Sequence, residues 1–186
     1  MRIVMLGAPG SGKGTQAAAL ARHFGVPHIS SGELLRRHVA AGTTLGRKVA
    51  GVLDRGDLVP DDVVARVVAE ALDEAGTGYI LDGFPRDRGQ ARLAEEAYDG
   101  GLADAVVFLA LPDGVARTRL AARAEGRSDD RDPDVIERRI RRFHEETDPL
   151  AGFYRDRGKL ITVDGDQPPD TVTADILAAL THEGQG

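Results

Sequence analysis

A glycine-rich segment between an apolar run and a helix-like run restricts the fold of this chain more than any other feature. The segment reads GAPGSGKGTQ, from Gly7 to Gln16, with RIVML before it and AAALARHFG after it. Backbone N–H groups in a glycine-rich turn between a strand and a helix converge on an anion, and the helix dipole adds positive potential. Lys13 supplies a mobile charge for the outer phosphates. The spacing therefore predicts a phosphate-binding loop.

Lys13 stands out because lysine is scarce in this chain. Lys13, Lys48 and Lys159 are the only lysines among 24 Lys and Arg residues. The general phosphate-loop pattern has Ser or Thr directly after the lysine, whereas Gly14 occupies that position here and Thr15 follows. Either the hydroxyl lies one residue further from a bound Mg²⁺, or the ion is held mostly by phosphates and water.

Length and composition restrict the class of protein. The 186 residues, 41% of them hydrophobic, suit one main domain with small inserts. No apolar run approaches about 18 residues, so we expect no membrane span, and the N-terminus does not resemble a secretory leader. The absence of cysteine excludes disulfides and thiolate metal sites and suits a cytoplasmic location. A net charge of −6 argues against nucleic-acid binding.

Hydrophobic periodicity predicts alternating strands and helices. Strands are predicted at 3–6, 26–29, 78–82, 104–111 and 159–164. Helices are predicted at 13–24, 33–42, 61–76, 87–101, 112–124, 135–154 (with a break at Pro149) and 170–181, and a further helical stretch follows 42 and runs to about Arg55. The segment 125–134 is a charged loop. Strands that alternate with helices indicate a parallel sheet covered on both faces.

Several motifs, in order along nearly the whole chain, resemble the adenylate kinase family of nucleoside monophosphate kinases. GAPGSGKGTQ resembles the family's phosphate loop, and GYILDGFPRDRGQA at 78–91 resembles its acidic strand end with a phosphate-gripping arginine. ISSGELLRR at 29–37 and GDLVPD at 56–61 resemble the two ends of its AMP-binding segment. GRSDD at 126–130 and RRI at 138–140 resemble a short lid and the next helix, and FHEETDPLAGFY and VDGDQP complete the match.

The resemblance implies a fold and a reaction. The fold is α/β: a three-layer phosphate-loop domain over 1–186 with a five-stranded parallel sheet, a helical AMP-binding insert (30–59) and a short lid (123–133). The reaction is ATP + AMP ⇌ 2 ADP with Mg²⁺, so ATP, AMP and ADP are the expected partners. Longer-lid relatives often carry zinc held by cysteines, and this chain lacks both the length and the cysteines, so no zinc is expected. We expect a monomer.

Phosphoryl transfer requires two phosphates held in line with their charges screened, and the planar fork of arginine grips phosphate oxygens with two hydrogen bonds. The resemblance places Arg36 and Arg86 at the α-phosphate of the acceptor and Arg119 near the donor base. It places Arg123, Arg127 and Arg139 over the transferring phosphates. Arg139 is chosen because it directly precedes the apolar residue of RRI.

The resemblance also implies the full set of site residues. The expected catalytic residues are Lys13, Arg86, Arg123, Arg127 and Arg139. The expected ATP-binding residues are Gly10, Ser11, Gly12, Lys13, Gly14, Thr15, Arg119, Arg123 and Gln167. The expected AMP-binding residues are Ser31, Arg36, Asp57, Leu58, Val59, Gly83, Phe84, Pro85, Arg86, Gln90, Arg127 and Arg139.

Two acidic sites have more than one interpretation. Asp82 ends the apolar run YIL, where a strand delivers a side chain to the top of a sheet, and a carboxylate there commonly holds Mg²⁺ through water. The alternative is a cap for the following GFPR turn. Asp129 and Asp130 are either partners that lock the arginines at the lid hinge or part of a solvated charged loop.

The resemblance implies that Gln90 selects the base of the acceptor nucleotide. A carboxamide has donors and acceptors, so it reads the N–H and the ring nitrogen of adenine together. Ser31 stands where the family more often has threonine, which indicates a slightly looser pocket. A guanine-directed switch protein is disfavoured because its motif requires asparagine, which this chain lacks. The alternatives are a UMP/CMP kinase and a phosphate-loop module that binds ATP without transfer.

Overall fold

The computed structural model of the chain describes residues 1–55, 57, 59–98, 100–122 and 132–183. Within these residues, strands form one sheet with the order β2-β3-β1-β4-β5, and every pairing in it is parallel. The strands are β1 Arg2–Gly7, β2 His28–Ser30, β3 Tyr79–Asp82, β4 Ala105–Ala110 and β5 Leu160–Asp164. The predicted parallel sheet is therefore confirmed.

Helices cover both faces of the sheet. They are α1 Lys13–Phe24, α2 Ser31–Ala40, α3 Thr44–Asp54, α4 Asp61–Ala75, α5 Arg88–Ala97, α6 Asp113–Ala122, α7 Pro133–Arg142, α8 Pro149–Arg155 and α9 Pro169–Glu183, with a π-helical turn at Phe143–Thr147 between α7 and α8. None of the helices in the described ranges is long and apolar enough to cross a bilayer.

The alternation of side chains along β1 divides the core into two layers. Ile3 and Met5 pack in one cluster that includes residues of α1 and α9. Val4 and Leu6 pack in another, which includes residues of α2, α3, α4, α5 and α8. Successive side chains on a strand point to opposite faces, so a central strand that is apolar throughout requires helices on both sides. This gives the expected three-layer α/β fold.

The observed boundaries differ from the predicted ones at several segment ends, and three of these differences are described below. The second strand is His28–Ser30 rather than 26–29, and the helix predicted at 87–101 ends at Ala97. The helix α7 begins at Pro133, which the prediction assigned to the charged loop. Proline suits the first position of a helix because its fixed φ is helical and its missing N–H is not needed there. Asp132 caps this helix by accepting from the N–H of Asp134 at 2.9 Å.

The predicted break at Pro149 is confirmed and has a defined form. Proline cannot donate the i→i−4 hydrogen bond, and the N–H of Asp148 instead reaches back five residues to the carbonyl of Phe143 at 2.7 Å. The chain therefore passes through the π-helical turn before α8 begins. The extra residue in this turn changes which side chains face the carboxyl ends of the strands.

Candidate active site

A cleft of about 510 Å³ lies at the carboxyl ends of β1 and β3. After β1, the chain forms β2 and β3 on one side of β1 and then crosses to form β4 on the other side. Ligands of open parallel sheets bind at such a switch point in the strand order. Of the predicted residues, the ones that line this cleft are Gly10, Gly12, Lys13, Gly14, Thr15, Arg36, Asp82, Gly83, Pro85, Arg86 and Arg139. The structure thus brings together residues from both predicted nucleotide sites.

The phosphate loop needs glycine at particular positions. Gly10 and Gly12 have φ of 82° and 91°, a left-handed conformation that side chains rarely adopt. A Cβ on Gly7 would lie 2.7 Å from the carbonyl oxygen of Leu109, and one on Gly10 would lie 3.0 Å from that of Ala116. The loop therefore packs tightly against its neighbours while the N-terminus of α1 opens toward the cleft.

Lys13 is folded back over this loop. Its Nζ donates to the carbonyl oxygens of Gly7 and Ala8 at 2.8 and 2.9 Å. Carbonyl oxygens are weaker partners for an ammonium group than phosphate oxygens, because hydrogen bonds between two charged groups are shorter and stronger. The geometry leaves Lys13 able to exchange these carbonyls for a phosphate.

Ser11 lies in the loop but does not belong to the cleft lining in the described residues. It is 2% exposed, and its Oγ has no hydrogen-bond partner in that part of the chain. The hydroxyl lies 2.8 Å from the position that a Cβ on Gly7 would occupy, so it points into the loop. The hydroxyl of Ser11 therefore lies inside the loop and not at the surface of the cleft.

Four arginines line the cleft and give it positive character, and three of them were predicted from the sequence. Arg36 comes from α2, Arg86 from the segment after β3, and Arg139 from α7. Desolvation lowers the pKa of Arg86, Asp82 opposes this effect, and the positive charges of Arg139 and Arg36 add to it. A bound anion stabilises a desolvated cation that lies near two other positive charges, so the arrangement suits a phosphate group.

Hydrogen bonds hold Arg86 at both its backbone and its side chain. Its Nε donates to the carbonyl oxygen of Gly83 at 2.8 Å. Its backbone N–H donates to Oε1 of Gln90 at 2.9 Å, and its carbonyl oxygen accepts from Oγ1 of Thr147 at 2.8 Å. Because Nε is engaged and the backbone is fixed at both ends, the guanidinium is preorganised in the cleft.

The carboxylate of Asp82 lies beside the start of α1. A Cβ on Gly14 would be 3.8 Å from Oδ2 of Asp82, and both residues line the cleft. Asp87, the residue after GFPR, caps α5, since its Oδ1 accepts from the N–H of Gln90 at 2.9 Å. The role of Asp82 stays a prediction. In the described ranges, no three His, Cys, Asp or Glu side chains gather into a metal-binding group, so a cation here would need phosphate or water ligands as well.

The turn after β3 is tied to α2. Ser31 Oγ donates to the carbonyl oxygen of Gly83 at 2.7 Å. Gly83 has φ 82°, and a Cβ there would lie 2.6 Å from that hydroxyl. Ser31, Phe84 and Val59 are buried at 1%, 5% and 4% exposure, so these predicted acceptor-site residues lie behind the cleft surface. The serine hydroxyl has a structural contact that a threonine would also supply.

The predicted donor-base residues lie apart from this cleft. Arg119 donates from Nη1 to the carbonyl oxygen of Gly165 at 2.9 Å and lies 3.3 Å from Asp166. Gln167 donates to Oδ2 of Asp175 at 3.1 Å. Both therefore border the loop after β5. That loop adjoins the phosphate loop, since a Cβ on Gly165 would be 3.4 Å from the carbonyl oxygen of Ser11.

Asp57, a predicted acceptor-site residue, pairs with arginines. Its carboxylate lies 2.9 Å from both Arg55 Nε and Arg142 Nη2, and 3.9 Å from Arg138 Nη1. The hydrogen bond from Arg55, followed by that from Arg142, lowers the pKa of Asp57, whereas desolvation opposes the shift. The contact joins the end of the 30–59 segment to α7. Predictions for Leu58, Arg123, Arg127, Asp129, Asp130 and most of 123–133 lie outside the described residues.

The cleft also contains residues that the sequence did not single out. Arg142, Phe143, Glu146 and Thr147 line it, and the last three belong to the π-helical turn. The Asp-Pro pair at 148–149 signals a helix break but does not reveal which side chains turn inward. Phe143 packs against Phe108 of β4, with ring centroids 6.2 Å apart, and this contact fixes the turn against the sheet.

Because Lys13 and the N-terminus of α1 face the arginines across one cleft, the phosphates of two nucleotides can meet there, and this arrangement is that of a phosphate-loop nucleotide kinase. A sequence profile described as adenylate kinase matches residues 5–159. Three similar proteins carry that name, from Xanthomonas euvesicatoria (46% identity, 97% of this chain and 99% of the relative), Nostoc sp. (44%, 96% and 98%) and Synechocystis sp. (43%, 94% of each). The chain belongs to the adenylate kinase family, whose members are nucleoside monophosphate kinases.

Proposed function

We propose that this chain transfers a phosphoryl group reversibly from ATP to AMP, giving two molecules of ADP. The observation that carries the proposal is the convergence of Lys13, Arg36, Arg86 and Arg139 on one cleft in front of the N-terminus of α1. Transfer between two nucleotides requires both phosphate chains to meet in one such cleft. Family membership supports the same reaction.

On the donor side, the backbone N–H groups at the start of α1 bind the β- and γ-phosphates of ATP. Lys13 leaves the carbonyls of Gly7 and Ala8 and follows the charge as it moves between phosphates. This contact strengthens as charge develops on the bridging oxygen, so it stabilises the transition state more than the ground state. Arg119 and Gln167, beside the loop after β5, contact the donor base.

On the acceptor side, Arg36 and Arg86 grip the α-phosphate of AMP. Arg139 lies across the transferring group, and phosphate oxygens placed between Arg139 and Arg86 offset the repulsion between the two guanidinium groups. We propose that residues 123–133 form the lid and that Arg123 and Arg127 complete the phosphate contacts on closure. Closure excludes water, which would otherwise compete with AMP as the acceptor.

Asp82 is proposed to hold Mg²⁺ through water, with Thr15 at the same edge of the cleft. Oxygen ligands match the preference of Mg²⁺, which commonly retains several waters and binds substrate phosphates. When bound, the ion would neutralise phosphate charge during transfer. Asp82 would also orient those waters, while the position of Gly14 leaves room for them next to the loop.

We further propose that residues 30–59 act as the AMP-binding insert, in which Asp57, Leu58 and Val59 border the acceptor base. The enzyme would work in the cytoplasm as a monomer, without zinc, nucleic acid or membrane partners. The lack of cysteine supports a reducing location and the lack of a zinc site. Size-exclusion chromatography with light scattering tests the monomer.

Gln90 is proposed to read the adenine of AMP. The nucleotide that the enzyme prefers as phosphoryl acceptor distinguishes this proposal from its alternatives, a UMP/CMP kinase and an ATP-binding module without transfer. AMP, UMP, CMP and GMP should be compared at equal concentration with ATP and Mg²⁺, with ADP formation measured by a coupled assay. AMP is expected to react fastest. Faster reaction with UMP or CMP would overturn the acceptor, and no transfer to any of the four would overturn the reaction.

A further inference from the structure

The carboxamide of Gln90 lies between a hydrogen-bond donor on one side and a hydrogen-bond acceptor on the other. Gln90 lies in the first turn of α5 and is 5% exposed. Its Oε1 accepts from the backbone N–H of Arg86 at 2.9 Å. Its Nε2 donates to Oδ1 of Asp61, the first residue of α4, at 2.6 Å. Asp61 is the last residue of the GDLVPD segment, but the sequence analysis predicted no role for its side chain.

These two partners permit one orientation of the amide. A backbone N–H can only donate, and an ionised carboxylate can only accept. If the amide turned by 180°, its NH₂ group would face the N–H of Arg86 and its oxygen would face the carboxylate of Asp61. Both hydrogen bonds would be lost, and groups of like partial charge would face each other on both sides of the buried amide. The oxygen and nitrogen of Gln90 are therefore fixed in place.

We propose that Asp61 is a positioning residue that sets base specificity by fixing the amide of Gln90. The inference rests on the proposed function, in which Gln90 reads the acceptor base. An amide has two lone pairs on oxygen and two N–H groups on nitrogen, so one acceptor and one donor remain after the protein contacts. Adenine presents an N–H donor at position 6 and an acceptor at N1, and a fixed amide matches this order.

The same orientation rejects a purine with the opposite order. Hypoxanthine, the base of IMP, has the size of adenine but carries an oxygen acceptor at position 6 and an N–H donor at N1. It would pair well only with the turned amide, which Asp61 and the N–H of Arg86 disfavour. A site whose buried polar groups are left unpaired discriminates strongly against the wrong ligand. IMP therefore isolates the effect of amide orientation from that of base size.

A purely structural role for Asp61 predicts something different. Asp61 and Asp62 are both acidic residues in the first turn of α4, where negative charge favours the helix dipole. Asp62 has its carboxylate 4.0 Å from Arg66, and its side chain is 77% exposed. Asp62 is thus a matched control, because it shares the first helical turn and the charge with Asp61 but does not accept the hydrogen bond from Gln90.

The experiment measures kcat/KM for AMP and for IMP in the wild type and in Asp61→Ala, Asp61→Asn and Asp62→Ala, with thermal unfolding of each. Asp61→Ala should lower the AMP-to-IMP ratio by about 10- to 100-fold, the effect of losing one hydrogen bond to a charged group. In Asp61→Asn the new amide can accept or donate, so AMP use should be retained while IMP use rises. Asp62→Ala should keep the wild-type ratio.

The outcomes separate this inference from the proposed function. A wild type that prefers UMP or CMP to AMP would overturn the acceptor assignment and the inference with it. A wild type that prefers AMP, combined with equal ratios in Asp61→Ala and Asp62→Ala, would overturn the inference alone. Equal losses for AMP and IMP in Asp61→Ala, accompanied by a lower melting temperature, would assign Asp61 a structural role instead.

Discussion

Replacement of Arg86 by alanine is expected to impair the use of AMP far more than the binding of ATP. Arg86 lies on the acceptor side of the cleft, next to Arg36 and Arg139. A bidentate contact with phosphate contributes two charge-assisted hydrogen bonds, each about 1.5–3 kcal/mol. The expected loss in kcat/KM for AMP is therefore about 3–6 kcal/mol, or roughly 10²–10⁴-fold.

The same substitution should have little effect on folding. The carbonyl oxygen of Gly83 loses the Nε–H of Arg86 but keeps the hydroxyl of Ser31 at 2.7 Å, which limits the loss to about 1 kcal/mol. Removal of a desolvated cation next to two other arginines relieves repulsion and acts in the opposite direction. The backbone contacts of Arg86 with Gln90 and Thr147 do not depend on its side chain. The free energy of unfolding should change by less than about 1 kcal/mol.

Steady-state kinetics with varied AMP, a fluorescent ATP analogue in equilibrium titrations and thermal unfolding together test this reasoning. Arg88→Ala is the control, because it removes an exposed arginine two residues away. Arg86→Lys should recover activity only in part, since lysine lacks the planar fork. Equal damage to AMP use and ATP binding, or a large fall in the melting temperature, would refute the assignment of Arg86 to the acceptor phosphate.

Three further predictions follow from the proposed roles. Lys13→Ala should keep the fold and lower kcat by about 10²–10³-fold, the usual effect of losing one preorganised donor; a variant with most of its activity in steady-state assays would contradict the role of the loop. Gln90→Leu should reduce the preference for AMP over UMP in competition assays, because the adenine edge loses its partner, and an unchanged preference would exclude base reading. A mimic joining two adenosines by a polyphosphate should protect residues 123–133 from proteolysis, and AMP alone should not; equal cleavage in both samples would argue against a phosphate-driven lid.

The sequence predicts the helices and strands of this fold well, because the residues that specify each of them are close together in the chain. Lys13–Phe24 is helical as predicted and ends at Gly25, which adopts φ 65°. A glycine that follows an apolar periodic run is a reliable stop signal because it adopts the left-handed conformation without strain. The parallel sheet also follows from local pattern, since buried strands separated by helices cannot pair as hairpins. The strand order, in contrast, depends on which crossovers pack, and no local motif in this chain encodes it.

The candidate site could be predicted only where a motif fixes a residue. Arg86 follows directly from GFPR, but Arg139 and Arg142 lie in one arginine-rich helix, and composition cannot separate them. The structure places both at the cleft, and Arg142 also pairs with Asp57 across 2.9 Å. The contribution of the π-helical turn could not be anticipated either. It depends on the contact of Phe143 with Phe108 and on the hydrogen bond from Thr147 to Arg86, which join segments distant in sequence.

The cleft is lined by arginines, although the molecule as a whole carries a net negative charge. This difference affects how a nucleotide is bound. The chain carries a net charge of −6. Inside the cleft, desolvation lowers the pKa of Arg86, Asp82 opposes this effect, and the charges of Arg139 and Arg36 add to it. Electrostatic attraction over long distance therefore contributes little to substrate capture, because the outer field repels nucleotides. The attraction becomes strong only inside the cleft, where the dielectric constant is low and the donors are already positioned. Binding energy is thus concentrated at the phosphates, where transfer between two nucleotides needs it.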